Sequence, residues 1–91
     1  MGWSCDIKSS ETMDKLFSLC DEDGLIHYHG EKYLCEVDTT KEYEDGRIKI
    51  DVYKITKIGH HTVGTKIGSF FIIDGKISQT AKKKFHFLNL I

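Results

Sequence analysis

His27 and His29 flank a single residue, and on a β-strand that spacing turns both imidazoles to one side, as metal sites require. Cys20, Cys35 or the pair His60-His61 could complete such a set. The chain has no Cys-x-x-Cys or His-x-x-x-His to supply a second ligand pair, so the sequence implies no metal and no cofactor. The two histidines then simply line the polar side of an edge hairpin.

Cys5, Cys20 and Cys35 would be nucleophiles only as thiolates, each beside a histidine that sequence alone does not place. An odd number of cysteines without an export signal implies reduced thiols, whose ordinary use is to fill a core. Gly-x-Ser-x-Gly is absent, and Gly64-Thr65-Lys66-Ile67-Gly68-Ser69 holds Gly, Lys and Ser out of the order a phosphate loop needs. His61 and Thr62 match half of a two-histidine phosphoesterase motif whose second half is missing. The residues therefore describe a non-enzymatic protein, with a metal- or Cys-dependent enzyme as the alternative.

Charge says more. The chain of 91 residues has a formal net charge of −1, but its halves differ sharply. Residues 1–53 hold 13 acids against six bases, a balance of −7, and residues 54–91 hold seven lysines against one acid, a balance of +6. Opposed fields of this kind steer association with partners or between copies of the chain, unless the halves interleave in one sheet and cancel. The acids gather in three segments: Asp21, Glu22 and Asp23; Glu36 and Asp38; and Glu42, Glu44 and Asp45 around Tyr43. A compact set of carboxylates can occupy a cationic groove built for phosphates, with Tyr43 as an aromatic anchor. The bases offer a competing surface. Lys54, Lys57, Lys66 and Lys76 on the strands, then Lys82, Lys83 and Lys84 followed by Phe85-His86-Phe87, interleave cations with aromatics as a single-strand nucleic-acid binder would. Against that stand the negative total charge and a single arginine, Arg47, where base-edge contacts favour Arg.

The elements that must position these groups follow from periodicity. Trp3 to Ile7 reads as a short strand, and Ser9-Ser10 as the cap of a helix with Met13, Leu16, Phe17 and Cys20 on one face. Asp21 to Gly24 stops that helix. From Leu25 the period becomes two: Leu25 to His29 and Lys32 to Asp38 form a hairpin, Thr39 to Gly46 an acidic loop, and Arg47 to Lys57 the clearest strand. Beyond Val52 the apolar residues shift to Tyr53 and Ile55, which implies a bulge or a change of face. Gly59 to Gly64 reads as a loop, Thr65 to Ile73 as a central strand and Asp74-Gly75 as a two-residue hairpin turn. The residues from Thr80 fit either a helix or a strand, and the expectation is a terminal strand or extended tail. The fold class is thus α+β in one domain, residues 1–91: one amphipathic helix packed on an antiparallel meander of four to five strands.

Composition, 40% hydrophobic, 30% charged and 11% aromatic, excludes disordered and collagen-like classes, and no apolar run approaches the roughly 18 residues of a membrane span. With no secretory signal at Met1 to Asp6, the expectation is a cytoplasmic protein.

Met1-Gly2-Trp3-Ser4-Cys5, then Asp45-Gly46-Arg47-Ile48 leading to Tyr53-Lys54, then Gly68-Ser69-Phe70 running to Asp74-Gly75-Lys76-Ile77, give an order of features that resembles small uncharacterised proteins carried by phages and related mobile elements. That resemblance carries over no catalytic residue. It implies a context, the host cytoplasm, and a type of partner: a larger host or defence protein, one that handles nucleic acid included, blocked as anti-restriction and anti-CRISPR inhibitors block theirs. The favoured reading is therefore an inhibitor that occludes a functional surface of such a partner with its acidic segments. Binding of nucleic acid by the basic half is the alternative, and the charge asymmetry also allows self-association.

Overall fold

The computed structural model describes residues 7–91, with side chains from residue 11 onward. A helix, α1 (Ile7–Ser18), precedes five strands, β1 (Ile26–Tyr28), β2 (Glu31–Val37), β3 (Ile48–Ile58), β4 (His61–Ile73) and β5 (Lys76–Ile77). A short helix, α2 (Gln79–Lys84), and a 3-10 turn (His86–Leu90) follow. All neighbouring strands pair antiparallel in the order β1-β2-β3-β4-β5, so the fold is an α+β meander, as the periodicity implies.

Turn chemistry fixes the hairpins. His29 (φ 50°) with Gly30 (φ 80°), and Asp74 (φ 52°) with Gly75 (φ 74°), place two consecutive residues in the left-handed region, the I′ geometry whose twist matches the strands. Between β3 and β4 only Gly59 is left-handed, as a II′ turn requires. That turn is two residues long, so His61 to Gly64 are strand rather than the loop expected from the sequence. Thirteen residues at about 3.3 Å each make β4 roughly 40 Å long, which accounts for the 43 Å long axis of the molecule.

Strand alternation sends Ile26, Cys35, Ile50, Val52, Phe70 and Ile72 to one face, where Leu16 of α1 and Ala81, Phe85, Phe87 and Leu88 of the C-terminal segment complete the core. The register shifts between Val52 and Tyr53: Val52 faces Gly68 and Tyr53 faces Lys66, leaving Ile67 as the extra residue. The bulge expected in β3 thus sits in β4. β3 keeps its alternation, and its apolar residues change face because the core ends at Val52.

Other expectations are corrected. Ile7 opens α1, so no strand ends there, and the remainder of that expected strand, Trp3 to Asp6, lies outside the described residues. Ser9 and Ser10 lie within α1 and cannot cap it. On the expected face Leu16 is buried, but Phe17 is 40% exposed. β4 is not central: β5 pairs only with Ile72 and Ile73, so most of β4 is an edge and β3 occupies the middle. The C-terminal residues are helical, not extended. The Ser78 hydroxyl accepts the Ala81 N–H and caps α2, which frees Phe85, Phe87 and Leu88 to turn inward, and the strand reading failed because their apolar pattern serves a short helix and a 3-10 turn.

Candidate functional site

The inner face of the sheet is longer than the segments that cover it. Beyond Val52 the register sets Tyr28, Tyr33, Lys54 and Thr65 on the core side, and the C-terminal segment crosses only part of that area. The result is a half-open groove of about 280 Å³, walled by β1 and β2 at Tyr28, Glu31 and Tyr33, by the β4 bulge at Ile67, and by Lys84 to Phe87. Tyr33 stacks on Phe87 with ring centroids 5.0 Å apart and planes 27° from parallel. Phe87 is buried and Tyr33 half-buried, so this pair makes a fixed aromatic floor. Tyr28 and His29 add a second ring contact at 4.1 Å.

Lys84 stands at the rim with its Nζ 5.4 Å from the Phe85 ring centroid. It closes over Gly68, where a Cβ would meet Lys84 Nζ at 2.6 Å and Phe85 Cζ at 3.0 Å. Lys54 pairs with Glu31 at 3.4 Å, which neutralises the carboxylate of the groove wall. Exposed Val63 and Ile58 continue the same face toward the β3–β4 turn.

Of the residues of the basic aromatic surface expected from the sequence, Lys84 and Phe85 line the groove, Lys54 reaches it only through its pair with Glu31, and Lys82 and Lys83 share the last turn of α2. Lys57 is exposed on the opposite face of β3. Phe85 is only 3% exposed and packs near Phe70 and Phe87, so its ring supports the core and offers no free stacking face. His86 and Phe87 of the basic aromatic run, and His29 of the histidine pair, also line the groove, whereas Tyr28, Tyr33 and Ile67 belong to no candidate site read from the sequence. The signal that could have found them was the same-face placement of Tyr28 and Tyr33 across one hairpin.

The acidic residues divide into spent and free. The loop at 38–47 joins the end of β2 to the start of β3, whereas β1 begins opposite Tyr33, in mid-sheet, so the register does not bring the turn at 21–25 and that loop to one end. Asp21 accepts hydrogen bonds from the Asp23 and Leu25 N–H groups and contacts His27. Asp38 accepts from the Thr40 N–H and hydroxyl and lies 3.5 Å from Lys49. Asp45 accepts from the Arg47 backbone and guanidinium. These bonds hold each carboxyl below its ordinary range, chiefly through Leu25 N–H for Asp21, the Thr40 hydroxyl for Asp38 and the Arg47 side chain for Asp45. Tyr43 stands edge-on to Phe71 at 5.4 Å, with Arg47 against both rings, so it braces the loop rather than standing free as an anchor. Glu22, Asp23, Glu36, Glu42 and Glu44 remain exposed, without an ion pair among the described residues.

His29 lies in the turn, and His27 is engaged with Asp21, so the two do not converge on one point. Burial pushes the Cys35 thiol up to about 12, with Cys20 adding to it. Burial, then Asp21, also raises Cys20, so both are held as protonated thiols. Cys5 lies outside the described residues.

Comparisons with protein-family models, with curated proteins and with solved structures find no match to this chain.

Proposed function

We propose that the protein is a non-enzymatic binding module whose aromatic groove takes an unpaired base of a single-stranded nucleic acid. The observation that carries this reading is the meeting of a half-open groove, walled by Tyr28 and Tyr33, with an exposed lysine at its rim, Lys84, which belongs to the half of the chain whose balance is +6. A volume of about 280 Å³ is at the low end of ligand pockets, about 300 Å³, and suits one flat ring rather than a large ligand. Stacking on an aromatic side chain contributes roughly 1–3 kcal/mol per base and is indifferent to sequence. Lys84, with Lys82 and Lys83 in the same turn, meets the phosphates that flank the base.

The test is fluorescence anisotropy with a labelled mixed-sequence single-stranded oligonucleotide across a salt series. Binding falls steeply with salt, and Lys84→Glu or Tyr28→Ala weakens it while circular dichroism stays unchanged. Absence of binding at low salt, or binding that ignores both substitutions, overturns the reading.

A second reading, occlusion of a cationic surface on a larger protein, is favoured by the braced loop at 38–47. Its Asp38, Asp45 and Tyr43 contacts hold Glu42 and Glu44 exposed on an ordered segment, and preorganisation lowers the cost of docking. In the setting of a mobile-element inhibitor, that partner would be a host or defence protein. Capture from lysate that survives nuclease belongs to this reading, and capture abolished by nuclease to the first.

A further inference from the structure

The groove contains a group that a plain phosphate-binding surface does not need. Among the described residues Glu31 is the one acid that lines it, and a carboxylate beside the path of a polyanion weakens binding by repulsion. Register sets Glu31 opposite Tyr28 on β1 and two residues before Tyr33 on β2, so the three side chains share the core face. Lys54, opposite Tyr33 on β3, lies on that face too and brings its Nζ to 3.4 Å from Glu31 Oε2. No other hydrogen bond or ion pair engages Glu31 among the described residues, and its side chain is 46% exposed. Lys54 therefore screens the carboxylate and restrains it beside the two tyrosines, while most of its acceptor sites stay open toward the groove.

A base stacked on an aromatic ring of the groove wall turns its edge to the side, where Glu31 meets it. Guanine is the common base with two donors, N1–H and N2–H, side by side on its Watson–Crick edge, and one carboxylate accepts both. Adenine and cytosine each set a single amino group next to a ring-nitrogen acceptor, and thymine or uracil sets its one N–H between two carbonyl oxygens. Against those three edges a carboxylate oxygen faces a lone pair, so Glu31 favours guanine and disfavours the rest. His29 and His86, which also line the groove, each offer at most one acceptor nitrogen and cannot take both guanine donors.

We infer that the groove selects an unpaired guanine, with Glu31 accepting the N1–H and N2–H of its Watson–Crick edge and Lys54 acting as the positioning residue that holds the carboxylate. This rests on the single-strand reading and adds a base preference to it: stacking is indifferent to sequence, and the edge contact is not. A free guanine nucleotide carries the same edge but lacks the neighbouring phosphates that Lys82, Lys83 and Lys84 meet, so the strand is the tighter ligand.

Four labelled oligothymidines test this, one unchanged and three with a single central guanine, adenine or cytosine, titrated with the full chain at one low salt concentration. The guanine probe is expected to bind about tenfold tighter than the other three. Glu31→Gln brings guanine down to their level, leaves the adenine probe no weaker and keeps the circular dichroism of the wild type. Simple removal of a repelling charge would instead tighten all four probes alike, so that uniform shift, or equal binding of the four probes by the wild type, overturns the inference while the single-strand reading stands. Binding of none of the probes overturns that reading itself. Guanosine monophosphate is expected to compete with the guanine probe only weakly; competition as tight as the probe's own binding assigns the site to free nucleotides and overturns its place on a strand.

Discussion

Lys84 lies across Gly68 so closely that a Cβ there would stand 2.6 Å from its Nζ, and the Phe85 ring edge is only 3.0 Å away. The lysine tip can swing aside, but Phe85 is wedged in the core and cannot. Gly68→Ala is expected to cost about 1–3 kcal/mol by overpacking and to move Lys84 off the groove rim. Gly64→Ala is the control, since its nearest contact is the flexible end of Ile55 at 3.2 Å. Urea midpoints should fall clearly for the first variant and little for the second.

Cys35 gives an alkaline signature. Its thiol stays protonated in the folded chain up to about 12, whereas the unfolded chain ionises near 9.0. Above 9.0 the folded state holds the extra proton, so stability drops as pH rises, by about 1.4 kcal/mol per unit from this group. Cys35→Val is expected to flatten that limb between pH 9 and 11 in denaturation curves, and a limb left unchanged would show that the thiol is solvated.

Asp21, Asp38 and Asp45 have the opposite sign. Each carboxyl sits below its ordinary 3.8, so its contribution is complete above that pH and is lost as pH falls through the lowered value. Asp38→Asn should narrow the gap between melting temperatures at pH 5 and pH 2.5, because it removes the ionisation that Thr40 stabilises. An unchanged gap would place acid sensitivity elsewhere.

Glu42 and Glu44 separate folding from function. Reversing both to Lys should leave folding stability within about 0.5 kcal/mol, since neither is buried or paired. If the loop meets a cationic partner, the same change abolishes nuclease-resistant capture; wild-type capture by the reversed chain would remove the loop from the contact.

The meander was legible because its signals are local: Asp74-Gly75, the alternation through Tyr33, Cys35 and Val37, and the phase change after Val52 each depend on a few neighbouring residues. The acidic and basic segments were legible as charge, but not their division into spent and free. That depends on short-range bonds such as Asp45 to Arg47, which sequence alone leaves open. The C-terminal segment was misread because Phe85, Phe87 and Leu88 alternate poorly and owe their inward turn to the Ser78 cap and the space over Gly68. The groove was hidden for the same reason: it exists only where that segment stops short of the sheet.

The strand order gives every strand its chain neighbour as partner, yet the core is closed by Phe85, Phe87 and Leu88. During synthesis the hairpins can zip one after another as they leave the ribosome, while one face of the growing sheet stays bare. Cooperative folding has to wait until residues 85–88 clear the exit tunnel, so a chain stalled before Phe85 would present its apolar interior to chaperones rather than a closed core.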